Sequence, residues 1–196
     1  SRGERISIDW KRLIAPYFGA FMGAAAFTML FSQLPYLLEA RNISKSPAFA
    51  GSLTSVTSAG MFIAAFSYAS LSGRVSAMRM WSITFGLIGI GFAALSISPQ
   101  LIGIIAGGFV TGLGAGLVMP NSLNMVLGMV PAAARGKAAG FQTTCWFLGV
   151  FAGPMIGVAL SRAFEGPSNA LGAWGFVVVL TCLSYLMMNK HQAATS

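Results

Sequence analysis

Charged side chains are scarce in this chain. Only 8% of its 196 residues are Asp, Glu, Lys or Arg, whereas an ordinary soluble domain carries about a quarter. A soluble fold with so few charges could not cover its surface, so we exclude one. The four acidic residues and single histidine are scattered, and no nucleophile constellation or phosphate-binding loop is present. We therefore expect no enzymatic activity, no metal and no cofactor.

Cysteine is equally rare, with two residues in the chain. Cys145 and Cys182 both fall within long apolar stretches, so we interpret them as buried thiols.

Long apolar stretches dominate the chain instead. Each is about 18 to 25 residues long, which is what a helix needs to cross about 30 Å of hydrocarbon. The six stretches are 14–38, 49–71, 80–98, 101–125, 140–160 and 171–188. They predict an all-α membrane protein with a six-helix transmembrane domain over residues 14–189. Trp81 is expected at a membrane interface, as part of an aromatic belt.

The basic residues divide unevenly between the two sides of this predicted domain. Nine of the 12 lie on the side of both termini, including the loop residues Arg74, Arg79, Arg135 and Lys137. By the positive-inside rule that side is cytoplasmic, and we expect the inner membrane of a bacterium. Because these cations are spread over short loops, we do not expect a nucleic-acid partner. Residues 1–13 are predicted to be an amphipathic lead-in or the end of a linker, and 190–196 a short tail.

The six spans divide into two sets of three. The first and fourth spans each begin with glycine-rich packing and carry a proline about 20 residues in, Pro35 and Pro120. Each proline has a neighbouring amide, Gln33 and Asn121. Units with an odd number of spans have opposite orientations, so the pattern predicts two inverted three-helix repeats. Paired breaks in corresponding helices of such repeats point to a transport site.

Glycine and proline are also regularly spaced in the fifth span, as Gly140, Gly149, Gly153, Pro154 and Gly157. Three of these glycines share one helix face, whereas Gly140 lies on nearly the opposite face. Pro154 removes one backbone hydrogen bond and allows the helix to bend. The two interpretations of this pattern are close helix packing, or a hinge or seal against another part of the protein.

This spacing resembles the antiporter glycine–proline motif of the major facilitator superfamily, although the family carries that motif in the fifth helix of its N-terminal half. Ala69, Gly73, Arg74 and Ser76 likewise resemble a decayed copy of the family's loop between its second and third helices. The chain therefore resembles the C-terminal six-helix half of such a transporter. The resemblance implies alternating access and a partner N-terminal half.

The resemblance also implies a central cavity, which is lined by the first and fourth spans and partly by the second and fifth. The candidate lining residues are Phe27, Phe31, Gln33, Tyr36, Asn121, Asn124, Gln142 and Trp146. Aromatic rings bind flat or apolar bodies and amides orient polar groups, which favours an amphiphilic solute. For each residue the alternative is core packing or an interhelical hydrogen bond.

No ionisable side chain lies in the middle of a predicted span. A site for coupled H⁺ would then lie in the other half, or the carrier is not proton-driven. We expect a secondary transporter of efflux type, with the lipid bilayer, the N-terminal half and a small solute as partners. The alternatives are a six-helix carrier that pairs two copies of itself and a non-transporting membrane subunit.

Overall fold

The computed structural model describes residues 10–194, with side chains described as far as residue 190. Within that range all regular structure is helical, and six helices are long and apolar enough to cross a membrane. They are α1 (Trp10–Ala40), α2 (Pro47–Ser72), α3 (Ala77–Ile97), α4 (Leu101–Met129), α5 (Arg135–Ala163) and α6 (Pro167–Ala194). The predicted class, an all-α membrane protein with six spans, is confirmed.

Each predicted span lies within one helix, apart from Ser98, which follows the end of α3. The predicted lead-in falls largely on residues 1–9, which lie outside the described residues. Its last four residues, 10–13, are the first turn of α1. The tail is helical as far as Ala194.

Short turns connect the helices. Ser46 caps α2 by accepting a hydrogen bond from the Phe49 amide, and Pro47 follows at the first helical position, where its missing N–H costs nothing. Ser76 caps α3 in the same way through the Arg79 amide. Between α5 and α6 the chain reverses at Glu165 and Gly166, which have φ of 55° and 139°.

The helix contacts show an approximate twofold symmetry, which exchanges the unit α1–α3 with the unit α4–α6. α1 packs along α5, and α4 packs along α2, which is the same contact with the two units exchanged. α1 and α4 meet in the middle of the bundle, and α3 packs along α6. The exchange is incomplete, because α3 packs extensively on α4 whereas α6 touches α1 much less. This arrangement is the one expected of two inverted repeats.

Glycine allows the closest helix contacts. On α4, a β-carbon added to Gly112 or Gly116 would collide with the α2 backbone at Thr57 and Met61. On α1, a β-carbon on Gly19 would lie 2.6 Å from the Trp81 ring. Small residues at such contacts let helix backbones approach closely, which drives association in lipid.

Trp81 is fully buried, so its predicted place in an aromatic belt is wrong. Its ring stacks on those of Phe85 and Tyr185, with centroids 5.6 Å away in each case. Because Gly19 has no side chain, the indole fits beside it. The tryptophan therefore packs between α1 and α6 instead of facing the membrane surface.

Candidate functional site

The described part of α1 presents an aromatic and polar stripe beside α2. Phe31, Ser32, Pro35, Tyr36 and Glu39 recur every three or four residues, so they lie on one face of the helix. They form one wall of a cleft of about 410 Å³. The other wall comes from residues 44–47 and from Ala50, Gly51 and Thr54 of α2. We call this the α1–α2 cleft, and it lies at the end of the bundle where α1 ends.

Tyr36 also lines a second cavity, on the other side of α1. That cavity has a volume of about 290 Å³ and lies against Gln33, Val158, Ser161, Arg162 and Pro167. The Tyr36 side chain is 59% exposed, so its ring stands between the two cavities and is accessible from both. Of the predicted lining residues, Phe31 and Tyr36 are the two that the structure places in the α1–α2 cleft.

Phe27 extends the aromatic stripe one turn below the cleft. Its ring centroid lies 4.3 Å from that of Phe31, with the ring planes tilted by 55°. The neighbouring hydroxyls are occupied by their own helix, since Thr28 donates to the Ala24 carbonyl and Ser32 to that of Met29. The hydroxyls of Thr28 and Ser32 are therefore already hydrogen-bonded within α1.

Gln33 is buried between α1 and α5. Its Oε1 accepts a 2.7 Å hydrogen bond from the Ser161 hydroxyl, and its Nε2 lies against Gly157. The amide also forms part of the wall of the smaller cavity. It therefore joins two helices and borders open space at the same time.

Asn121 and Asn124 lie at the other end of the bundle and differ in environment. Asn121 is fully buried, accepts from the Tyr68 hydroxyl at 3.3 Å and donates to the Ala77 carbonyl at 3.1 Å. Asn124 is exposed and donates to the same Tyr68 oxygen at 3.2 Å. Asn121 thus joins α4 to α2 and α3. Tyr68, which the sequence analysis did not select, links the two amides.

Gln142 and Trp146 lie on the side of α5 that faces the bundle. Gln142 is 1% exposed, and its Nε2 donates to the Met119 sulfur at 3.1 Å. Trp146 is half-buried and packs against the hydrophobic core. The structure therefore places both next to α4 or the core, away from the α1–α2 cleft.

The glycines of α5 differ in their surroundings. Gly149, Gly153 and Gly157 lie against α1, where an added β-carbon would meet the backbone near Phe21 and Ala25 or the Gln33 side chain. Gly140 has no atom within 4 Å of such a β-carbon in the part of the chain that is described. The three aligned glycines thus make the α1–α5 contact, and Pro154, half-buried, follows the central one.

The prolines of the repeat also differ. Pro35 is exposed in the α1–α2 cleft, and Pro120 is half-buried one residue before Asn121. Each lacks the N–H that would bond the carbonyl four residues earlier, so each weakens its helix at that point.

The four predicted loop cations are exposed at the end of the bundle where α1 begins, which we call the basic end. They are Arg74, Arg79, Arg135 and Lys137. The Lys137 ammonium lies 5.6 Å from the centroid of the Trp10 ring, which itself packs edge-on against Phe141. This contact fixes the start of α1 against α5.

Arg41, just beyond the end of α1, is a structural residue that the sequence analysis missed. Its guanidinium donates to the carbonyls of Leu95, Ser96 and Ser98 at the end of α3, and to the Ser168 hydroxyl of α6. The last carbonyls of a helix lack partners within it, and a cation there also complements the helix dipole. Burial lowers the pKa of Arg41 below its ordinary value, yet an arginine remains charged at neutral pH.

The six candidate spans define the bundle as that of a polytopic membrane protein. The chain belongs to the Major Facilitator Superfamily, whose family model matches residues 17–196.

Individual relatives agree with this family. Multidrug resistance protein MdtG of Yersinia enterocolitica is 28% identical over 159 residues, covering 79% of this chain and 38% of that protein. MFS efflux transporter aclA of Aspergillus oryzae is 25% identical over 182 residues, covering 93% and 31%. Riboflavin transporter RibZ of Clostridioides difficile is 29% identical over 101 residues, covering 52% and 22%. The chain thus spans less than two fifths of the length of each of these relatives.

Among solved structures, a POT family transporter in complex with 5-aminolevulinic acid superposes with a TM-score of 0.75. The two are 20% identical, and the match covers 92% of this chain and 38% of that one. At this identity the likeness establishes the fold alone.

Proposed function

We propose that this chain is the C-terminal six-helix half of a secondary transporter that moves a small amphiphilic solute by alternating access. The observation that carries the proposal is the position of Tyr36, an exposed aromatic side chain between two cavities near the end of the bundle where α1 ends. An aromatic face with a hydroxyl at its edge binds a flat ring and also offers one directional hydrogen bond.

The chemistry of the α1–α2 cleft supports a solute of mixed character. Phe31 and Pro35 provide apolar surface, and the rim carries the Glu39–Lys45 ion pair with an N–O distance of 3.4 Å. The relatives named for riboflavin, niacin and multidrug transport fit the same solute class, since their names denote ring compounds or chemically varied drugs. The multidrug and efflux names favour export.

The low burial of two spans supports a partner half. α2 and α5 are the least buried spans, and both carry exposed phenyl rings, such as Phe62 and Phe66 on α2 and Phe147 and Phe151 on α5. These faces flank α1 and α4, so a second bundle that covered them would enclose the α1 clefts. An N-terminal six-helix half is the proposed cover, and a second copy of this chain is the alternative.

The proposed orientation places the basic end in the cytoplasm of a bacterial cell, following the positive-inside rule. The α1–α2 cleft then opens toward the outside. Glu39 is the acidic side chain that lines the cleft, and it is exposed and already paired with Lys45. We therefore place any site for coupled H⁺ in the partner half.

Transport by the full-length protein in proteoliposomes tests this proposal, with riboflavin, nicotinate and ethidium as probes. Replacing Phe31 or Tyr36 by Ala should slow transport of an accepted probe about threefold to tenfold, because each removes one aromatic contact. Phe176→Ala is the control for Tyr36→Ala, since that ring is 64% exposed, against 59% for Tyr36, but lies on α6 away from the cleft. Equal rates in all three variants, or no transport of any probe, would overturn the proposal.

A further inference from the structure

The smaller cavity beside Tyr36 is lined by hydrogen-bond donors that the described part of the fold leaves unused. It has a volume of about 290 Å³ and lies between α1, the last turns of α5 and the start of α6, and we call it the α1–α5 cavity. Its polar lining residues are Gln33, Tyr36, Ser161 and Arg162. Val158 and Pro167 provide its apolar surface.

Gln33 provides the first unused donor. Its side chain is 2% exposed, and its Oε1 accepts the hydrogen bond from the Ser161 hydroxyl. Its Nε2 lies where Gly157 leaves room for it, 2.8 Å from the position of an added β-carbon, and has no hydrogen-bond acceptor among the described residues. Because buried polar groups are nearly always hydrogen-bonded, the acceptor for this amide has to come from the cavity.

Arg162 provides the second donor, together with a positive charge. Two other cations lie at this end of the bundle, and both have protein partners: Arg41 is bonded to α3 and α6, and Lys45 is paired with Glu39. Arg162, in the last turn of α5, forms no hydrogen bond or ion pair within the described range, not even with Glu165 three positions later. None of the residues that line the α1–α5 cavity is acidic, so nothing in its wall neutralises this charge.

We propose that the α1–α5 cavity binds the carboxylate of the transported solute, so that the solute class is an aromatic acid. Arg162 binds the carboxylate through paired, charge-assisted hydrogen bonds, and the Gln33 amide donates a further one. The volume equals the share of about ten water molecules in the liquid, which is room for a carboxylate on one small ring.

Tyr36 connects this anion site to the proposed function. Its ring stands between the α1–α5 cavity and the α1–α2 cleft, so it contacts the aromatic part of a solute whose acid group lies at Arg162. The inference therefore rests on the proposed function for the ring contact, and it adds the charge that the solute carries.

Ligand protection of a thiol in the cavity tests the inference through binding alone. In a cysteine-free variant of the full-length protein, Val158→Cys places a thiol one turn before Arg162, at a position that is 42% exposed. The rate of its alkylation by N-ethylmaleimide is measured with increasing nicotinate or nicotinamide, which share a ring and differ in charge. We expect nicotinate to give half-maximal protection at about tenfold lower concentration than nicotinamide.

Substitutions of arginine identify the cation that causes this preference. Arg162→Gln should abolish the preference, and Arg162→Lys should keep part of it, because lysine retains the charge but lacks the paired donors. Arg135→Gln is the matched control, since it removes an exposed arginine from the other end of the same helix, and it should keep the preference.

Substitutions at the hydrogen bond between α1 and α5 test the amide. Gln33→Leu should raise the nicotinate concentration needed for protection several-fold. Ser161→Ala breaks the same hydrogen bond but keeps the amide, so it should raise that concentration less. Size-exclusion chromatography of each variant checks that the protein remains folded.

The anion site is rejected if nicotinate and nicotinamide protect equally or not at all, or if Arg135→Gln loses as much preference as Arg162→Gln. Equal protection together with slower transport by Tyr36→Ala would reject the anion site and leave the transport proposal intact. A preference for nicotinate without transport of any probe would support the anion site and reject the transport proposal.

Discussion

The polar side chains of this bundle have two different roles, and the surroundings of each side chain indicate which role it has. Tyr36 is exposed between two cavities, whereas Asn121 is fully buried with both ends of its amide bonded to protein. A residue of the first kind is available to a solute. A residue of the second kind holds helices together, and its loss should appear in stability.

Asn121→Ala should lower the free energy of unfolding by about 1 kcal/mol, because it removes two hydrogen bonds between helices, one to the Ala77 carbonyl and one from the Tyr68 hydroxyl. Asn124→Ala is the matched control: it removes the other amide that contacts Tyr68, but from an exposed position, and should cost less than about 0.5 kcal/mol. Thermal unfolding in detergent measures both. A larger loss in Asn124→Ala would contradict this assignment.

Arg41 offers a second test at the residue level. Arg41→Gln should lower the free energy of unfolding by about 1.5–3 kcal/mol, because hydrogen bonds from a charged donor to three carbonyls at the end of α3 are lost. Lys45→Gln removes a cation of the same turn region whose side chain is 78% exposed, and should cost less than about 1 kcal/mol. Similar melting temperatures for the two variants would rule out a special role for Arg41.

At the level of the helices, glycine spacing determines which elements touch. The intervals of four among Gly149, Gly153 and Gly157 place them on one face, and that face lies against α1. Close packing within the bundle is therefore what these three glycines provide here. A hinge at Pro154 remains a prediction.

Gly153→Ala should destabilise the protein by about 1–3 kcal/mol, because the new methyl group would collide with the Thr28 hydroxyl and the Ala25 carbonyl of α1. Gly140→Ala, in the same helix, should be neutral or stabilise by up to about 1 kcal/mol, since its β-carbon meets nothing within 4 Å. Chemical or thermal unfolding in detergent compares them. The packing assignment fails if Gly153→Ala is as stable as the unaltered protein.

The number and order of the helices could be predicted from the sequence, whereas their full lengths and the direction of each side chain could not. A helix that crosses a membrane needs a long apolar run, because exposing polar groups to lipid is costly. This requirement does not depend on which helices lie beside it. In a membrane both the buried and the lipid-facing sides of a helix are apolar, so hydropathy does not distinguish them. Gln142 and Tyr36 were therefore both selected as lining residues, although one is buried against α4 and the other is exposed.

Trp81 and Arg41 show the same difficulty at the helix ends. A tryptophan near a span boundary indicates an interface residue, but Gly19 on a distant helix provides a site that buries it. The role of Arg41 depends on the end of α3 lying beside it, and those carbonyls are more than 50 residues away in sequence. Only the three-dimensional packing brings such partners together.

At the scale of the whole molecule, the exposed faces of α2 and α5 predict the surface through which this bundle contacts the proposed N-terminal half. With Cys145 and Cys182 replaced by Ser, a cysteine at Phe151 should cross-link to a cysteine introduced into the proposed N-terminal half, without forming a disulfide dimer between two copies of this chain. Phe176→Cys on α6 is the control and should form neither product. A dominant dimer through Phe151→Cys would instead support the carrier built from two copies of this chain.

The most direct test of the central claim is solute protection of the α1–α2 cleft in the full-length protein. Ser32→Cys, in the same cysteine-free background, places one small thiol in that cleft, and Ser70→Cys places one at an exposed position of α2 outside it. The measurement is the rate of alkylation by N-ethylmaleimide with and without a transported probe. We predict that the solute slows alkylation of Ser32→Cys and leaves that of Ser70→Cys unchanged. Equal rates for Ser32→Cys with and without solute would contradict a binding site on α1.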